Sequence, residues 1–180
     1  MEFESVIKSR ESIRDYADKK VEDEKINFVL ECARLAPSWA NKQCWQFIVV
    51  KDKKIIKNLS KTSIINLWLK NVPVIIVACG DPKQSGFRND INYFIVGVSI
   101  ALEHLILAAT DKELGTCWIG GFNEKKVKEI LEIPKNIRVV ALTPLGYPAE
   151  KKHIAGKLGK IVIQSNKRKS LDKMIHINKW

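Results

Sequence analysis

The stretch YFIVGVSIALEHLILAA, Tyr93 to Ala109, is the feature that most restricts how this chain can fold. It is apolar almost throughout, yet it falls short of the ~20 residues that a helix needs to cross a bilayer, and Glu103 and His104 interrupt it. A helix that is apolar around most of its circumference has to be surrounded by protein. The expected fold is therefore built around a central helix, roughly Asp90 to Glu113, stopped near Gly115 and buried on nearly all sides. His104 on that helix reads as a satisfied core histidine, with a metal ligand or catalytic base as the minority alternative.

The remaining elements follow from periodicity and punctuation. Residues 2 to 9 form a short amphipathic helix. A clearer one runs from Glu24 to Ala36, with Ile26, Val29, Leu30 and Ala33 on one stripe, Asp23 as its cap and Pro37 as its stop. WQFIVV, Trp45 to Val50, is a buried strand rich in β-branched residues. Ile55 to Ser60 and roughly Ile64 to Lys70 are shorter helices. VIIVACG, Val74 to Gly80, is a second strand whose unbroken apolar run implies burial on both faces. Asp81 to Gly86 is a loop. Strands are expected at Thr116 to Ile119 and at Arg138 to Gly146, with a helix at Glu124 to Leu131 between them. The tail from His153 is basic and irregular, with a short strand at Ile161 to Ile163. Helices and strands mix without a regular βαβ alternation, which points to an α+β class. The 180 residues suit one domain with a sizeable core.

Composition narrows the function. The net charge of +11 calls for a partner or a reason. Lysines scattered over solvated faces are the plainest one, as in KDKKIIK and NKRK; attraction of small phosphorylated molecules is the sharper one. Nucleic-acid binding ranks third, because no zinc-finger or RNP-like motif is present and aromatics do not interleave with the basic runs. Cys32, Cys44, Cys79 and Cys117 stand far apart without a C-x-x-C pair, which suits neither a zinc site nor a disulfide scaffold. Three of them lie in apolar contexts and are expected to be buried free thiols, in a reduced, cytoplasmic setting. The charged opening MEFESVIKSRES has no apolar h-region, so no signal peptide is expected. The three histidines are widely scattered and no metal is expected. There is no G-x-G-x-x-G after a strand, no P-loop and no G-x-S-x-G elbow.

Three stretches can carry chemistry. In SRESIRDY, Arg10, Ser12 and Arg14 share a face if the segment is extended, and Arg10 and Arg14 do so if it is helical. Two guanidiniums and a hydroxyl make an anion cradle, or else a solvated turn in which Arg14 pairs with Glu11 or Asp15. APSWANKQCW, Ala36 to Trp45, presents Ser38, Asn41 and Gln43 between a helix and a strand, as ligand-binding loops do and as ordinary connections also do. GTCWIGGF, Gly115 to Phe122, offers Gly120 and Gly121, past which a flat ligand can approach the backbone.

In their order along the chain these motifs resemble the nitroreductase family, in its short, single-domain form. SRESIR is similar to the family's R-x-S-x-R/K opening and APSWANKQCWQF to its A-P-S-x-x-N-x-Q-P-W-x-F loop. AATDKELGTCWIGGF is similar to its G-L-G-T-C-W-I-G-G-F segment, and TPLGYPAEK to its T-P-L-G-Y-P-A-E turn. The likeness runs from about Glu4 to Glu150, and the closing INKW fits it too. It implies a nitroreductase-like fold over residues 1–180, with a central, mostly antiparallel sheet flanked by helices. It also implies an intertwined homodimer with FMN in two sites at the interface, the tail from about 153 to 180 packing on the partner subunit.

Carried over, Arg10 and Ser12 would hold the FMN phosphate and ribityl chain. Arg14 would reach the N1/O2 side of the flavin, where a fixed cation stabilises charge gained on reduction. Pro37, Ser38, Trp39 and Asn41 would flank the ring and ribityl chain, and Asn66 would make a polar ring-edge contact. Ile119 and Gly120 would lie by the ring, with the Gly120 N–H facing N5, and Gly121 would permit close packing. Lys157 is the candidate phosphate ligand from the C-terminal region. Departures are Glu11 for a second basic residue, Cys44 for the usual proline, and Gly97 for a frequent acidic residue. The implied activity is a two-step NAD(P)H oxidoreductase reducing nitroaromatic, quinone-like or other small acceptors. Alternatives are a dehalogenase or flavin-consuming enzyme of the same fold, or a flavin store or redox sensor with little turnover.

Overall fold

The computed structural model describes residues 1–150 and 168–180. The expected strand at Ile161 to Ile163, and Lys157, lie outside the described residues.

The sheet is the part most directly dictated by the sequence. Strand β1 (Trp45–Val50), strand β2 (Val74–Gly80) and strand β6 (Arg138–Gly146) pair antiparallel, and the short β5 (Gly115–Thr116) adds to the far side of β6, giving the order β1-β2-β6-β5. Every residue of β2 is buried, because side chains alternate between two covered faces. Val74, Ile76 and Ala78 enter one core with helices α2 (Asp23–Arg34) and α4 (Tyr93–Asp111). Ile75, Val77 and Cys79 enter a second core, which includes Ile56 and Leu59 of α3 (Lys53–Ser60) and Val127 of α5 (Glu124–Leu131). A short helix α1 (Phe3–Ser9) packs against α4.

Local signals set the helix ends. Asp52 caps α3 by accepting from the Lys54 and Ile55 N–H groups at 2.8 and 2.9 Å, and Asn123 caps α5 by accepting from Lys126 N–H at 3.0 Å. Each such cap contributes ~1 kcal/mol. Asp23, expected to cap α2, is instead its first residue, and its carboxylate accepts from Lys51 Nζ at 2.6 Å.

Several expectations change. The central helix begins at Tyr93 rather than near Asp90, because Gly86 to Asn92 turns back on itself as a hairpin of β3 (Phe87–Arg88) and β4 (Ile91–Asn92). Asn89 and Asp90 at its tip are left-handed, with φ of 52° and 61°, a conformation these two residue types tolerate. The helix expected over Ile64 to Lys70 reduces to a 3₁₀ turn at Leu67–Asn71. Ile64 and Ile65 are 90% and 82% exposed and have no face to bury. The strand expected at Thr116 to Ile119 breaks after Thr116, since Cys117 N–H donates to the Thr143 hydroxyl; pairing resumes only as a bridge between Ile119 and Leu142.

Helix α4 is buried where it meets the sheet and α2, through Phe94, Gly97, Val98, Ala101, Leu102, Leu105, Ile106 and Ala109. A stripe at helical spacing, Ile95, Val96, Glu103 and His104, stays open in the single chain. His104 is therefore exposed rather than a core histidine, with Nδ1 3.0 Å from the Ile100 carbonyl.

Candidate functional site

Helix α1 ends at Arg10, whose N–H still bonds to the Val6 carbonyl while its own backbone leaves the helix. The chain then runs extended beside β5: Ser12 bridges Thr116 in parallel and Ile13 N–H donates to the Thr116 carbonyl at 2.7 Å. This settles the choice left open by spacing. Arg10, Ser12 and Arg14 share one face of an extended segment, and Ile13 turns to the other. Ile13 lies so close over Gly115 that a Cβ there would stand 2.7–2.9 Å from three of its side-chain atoms. The Arg14 guanidinium reaches only the Ser12 carbonyl, at 3.5 Å, leaving most of its five donors uncommitted among the described residues. Arg10 interacts electrostatically with Glu103 of α4, whose carboxyl is pushed up by loss of solvent and pulled down by Arg10 and His104, with the upward effect dominant.

Tyr16 closes the segment. Its hydroxyl donates to the Ile13 carbonyl at 2.8 Å, its ring stacks on Trp68 at 6.3 Å, and burial holds the phenol well above its ordinary pKa. Beneath Ser12 and Arg14 lies Cys117, a buried thiol also pushed up by burial.

Two positions along the same strand segment bring in the glycines. Ile119 is buried, and both its backbone groups are used against Leu142, at 2.9 and 3.0 Å, so it supports the site rather than offering donors to it. Gly120 and Gly121 differ: nothing lies within 4 Å of where a Cβ would be, and neither N–H donates to a described residue. The Asn66 amide donates to the Gly121 carbonyl and to Ser63 Oγ, both at 3.1 Å, tying the turn before β2 to the glycine pair.

The loop after α2 is wound tightly. Ala40, Asn41 and Gln43 all take left-handed φ values, 46°, 53° and 47°. Each costs about 1 kcal/mol or more in a residue with a Cβ, and hydrogen bonds offset this. Gln43 N–H donates to Ser38 Oγ at 2.9 Å, and the Gln43 amide donates to Asn41 Oδ1 at 3.0 Å. Trp39 lies flat on Gly86 and stacks on Tyr93 at 5.9 Å, while Pro37 is exposed. Cys44, the residue in place of a proline, is buried with its thiol facing the Phe94 carbonyl at 3.8 Å.

The candidate residues thus fall into two groups. Arg10, Ser12, Arg14, Gly120, Gly121 and Asn66 are gathered along the segment from β5 to Gly121. Pro37, Ser38, Trp39 and Asn41 sit at the start of α4, and no hydrogen bond joins them to the first group among the described residues. Gly115, Tyr16, Thr116 and Glu103 were not singled out by spacing, because each acts through a neighbour distant in sequence. The glycine directly before Thr116 was the one available signal.

Chemically, the first group presents two guanidiniums and a hydroxyl along one edge, then a stretch of open backbone where glycines leave N–H groups uncovered. That donor set fits an anion joined to a planar ring: forked donors for the anion, room and a peptide donor for the ring.

The model of the nitroreductase family matches residues 7–67 and 60–147. An Archaeoglobus fulgidus protein, provisionally named NADH dehydrogenase/NAD(P)H nitroreductase, is 38% identical over 82% of this chain and 86% of its own length. The crystal structure of a nitroreductase family protein from Clostridium novyi NT superposes with a TM-score of 0.81 at 41% identity, covering 85% of this chain and 89% of that one. An FMN-dependent nitroreductase from Clostridium difficile R20291 superposes at 0.79 with 31% identity, covering 97% and 98%. Matched along most of its length in sequence and in fold, the chain belongs to the nitroreductase family.

Proposed function

We propose that this protein is an FMN-dependent NAD(P)H oxidoreductase that reduces nitroaromatic, quinone-like or other small acceptors. The observation that carries the reading is the extended face of Arg10, Ser12 and Arg14 leading to the uncovered N–H of Gly120. FMN, when bound, supplies hydride acceptance and donation. The chain's own residues would do the rest. Arg10 and Ser12 would hold the phosphate and ribityl chain, Arg14 would set a permanent cation beside the ring, the Gly120 N–H would offer the ring a peptide donor, and Asn66 braces the glycine pair.

The separation of the Pro37–Asn41 loop from the arginines supports a homodimer in which one copy's loop covers the other copy's anion edge. The described tail agrees with this: Leu171, Met174, Ile175, Ile177 and Trp180 are all exposed on their own chain, as expected of a segment that packs on a partner. On this reading residues 1–180 form one flavin-binding unit. Four free cysteines suit a reducing, cytoplasmic setting.

The test is spectroscopic. The purified protein should be yellow, its flavin bands should bleach with NADH or NADPH without oxygen, and a nitroaromatic or quinone should restore them. Arg10→Gln should weaken FMN binding about 10- to 100-fold, the worth of a charge-assisted hydrogen bond. A colourless protein that does not rebind added FMN refutes the reading.

A further inference from the structure

The cofactor reading leaves most of the positive charge unused, and part of that charge is gathered. Lys19, Lys20, Lys51, Lys53 and Lys70 line one cleft of about 630 Å³. They come from three places: the chain after Tyr16, the junction of β1 with α3, and the 3₁₀ turn before β2. Asp18 is the one carboxylate on the lining, and residues 151–167 contain neither Asp nor Glu. Lys51 is paired with Asp23 at 2.6 Å, and the Lys19 ammonium rests 3.8 Å from the centre of the Tyr147 ring. Lys53 and Lys70 are exposed, and their ammonium groups make no hydrogen bond or ion pair among the described residues. Ammonium groups facing one cleft repel one another, and an anion taken from solution relieves that repulsion.

The surroundings define the kind of anion. The volume of the cleft is ordinary for a small-molecule site. Its inner wall is apolar, with Val21, Val72 and Val74 all buried. Immediately beside it Lys19 and Lys20 share the surface with Glu22, Asp23 and Glu24. That acidic strip ends the basic surface on this side, which suits a short anion. The cleft also lies past Tyr16 from Arg14, so it is not the edge assigned to the cofactor.

We propose that this lysine-lined cleft is a second anion site, which binds a small molecule carrying two or more linked phosphates. Lysines serve such a ligand as point charges around a flexible chain of oxygens.

Calorimetric titration of the flavin-loaded protein with inorganic tripolyphosphate at low salt tests it. Saturable binding at one site per chain is expected, weakened about tenfold or more in Lys53→Gln/Lys70→Gln with flavin content unchanged. Lys125→Gln/Lys126→Gln removes the same charge from exposed positions on α5 and should leave the affinity within about twofold, because it lies outside the cleft. The titrated protein already carries flavin, so tripolyphosphate binding that appears only in flavin-free protein would belong to the Arg10–Arg14 edge and would overturn the second site. Equal weakening by both lysine pairs would reduce the effect to net charge and overturn the site, as would no saturable binding by the parent.

Discussion

Gly115→Ala tests the construction of the anion edge most directly. The new methyl carbon would lie 2.7, 2.8 and 2.9 Å from Cγ1, Cβ and Cγ2 of Ile13. Carbon atoms rest at roughly 3.5–4.0 Å, so the gap has to open by about 1 Å. One of the three atoms is Cβ itself, which no χ1 rotation moves, so the backbone of residues 12–14 must retreat. That retreat stretches the 2.7 Å bond from Ile13 N–H to the Thr116 carbonyl beyond a useful length. Overpacking costs ~1–3 kcal/mol and the bond ~1 kcal/mol, so the expected loss is ~2–4 kcal/mol. In a domain of this size that lowers Tm by roughly 4–15 °C. Flavin affinity should fall with it, since Arg10 and Arg14 ride on the displaced segment. Gly115 has no left-handed φ, so backbone strain does not enter.

Gly97→Ala is the matched control. Its Cβ would find Cys44 Sγ, Ser38 Cβ and a Trp45 ring carbon at 3.6–3.8 Å, ordinary contact distances, inside a helix where alanine is favoured over glycine by ~0.5–1 kcal/mol. Thermal melts of the two variants should shift in opposite directions. A Gly115→Ala protein that melts with the parent and binds flavin equally well would refute the close-approach argument.

Gly120→Ala meets nothing within 4 Å, so Tm should stay within about 1 °C of the parent while FMN affinity drops, read by fluorescence of released flavin; unchanged affinity would take the ring away from Gly120. Glu124 accepts from Arg138 Nε and Nη2 at 2.8 and 3.0 Å and from Val139 N–H at 3.0 Å, and the Arg138 bonds chiefly hold its carboxyl below the usual range. A depressed carboxylate stabilises above its unfolded pKa, and the benefit disappears as pH falls through the folded value. Glu124→Gln should therefore cost about 0.5–1 kcal/mol at neutral pH and nothing once both forms are protonated; a gap constant down to strong acid would contradict this. Cys44, Cys79 and Cys117 are buried with thiols pushed up, Cys79 to about 12, whereas Cys32 is half-buried. A disulfide reagent should modify Cys32 first and the others only in denaturant, and early loss of Cys44 would show the loop beside α4 to be open.

The elements whose bounds agree residue for residue with expectation are Trp45–Val50, Val74–Gly80, Glu124–Leu131 and Arg138–Gly146. Val74–Gly80 and Arg138–Gly146 close on glycine, and the capping Asn123 opens Glu124–Leu131, so local chemistry marks their bounds; Trp45–Val50, expected to be buried, lies at the edge of the described sheet with Val50 as its one buried residue. Disagreement concentrates where a residue's surroundings are set from far away. His104 looks internal beside its apolar neighbours, yet which side of α4 faces the sheet is decided by packing against α2 and β2. The hairpin at Asn89 and Asp90 lacks the glycine that announces most tight turns. At the candidate site, motifs named the candidate residues, and spacing left open whether Arg10 to Arg14 was helical. The pairing of Ser12 with Thr116 decides it, across a separation that no local pattern reports.

The sheet order carries a consequence for how the chain matures during synthesis. Strand β6 lies between β2 and β5, and β5 pairs with no other named strand. Ser12 in turn leans on Thr116, and Tyr16 bridges Pro148. The arginines leave the ribosome well before β6, yet their seat is completed only once the chain has passed Pro148. Nascent chains arrested before β6 should hold at most the β1–β2 pair, and the segment from Arg10 to Tyr16 should gain protection from proteolysis only when Arg138 to Pro148 emerge. The arginine segment thereby acts as a checkpoint on the finished sheet: Ser12 and Tyr16 close against Thr116 of β5 and against Pro148, just beyond β6.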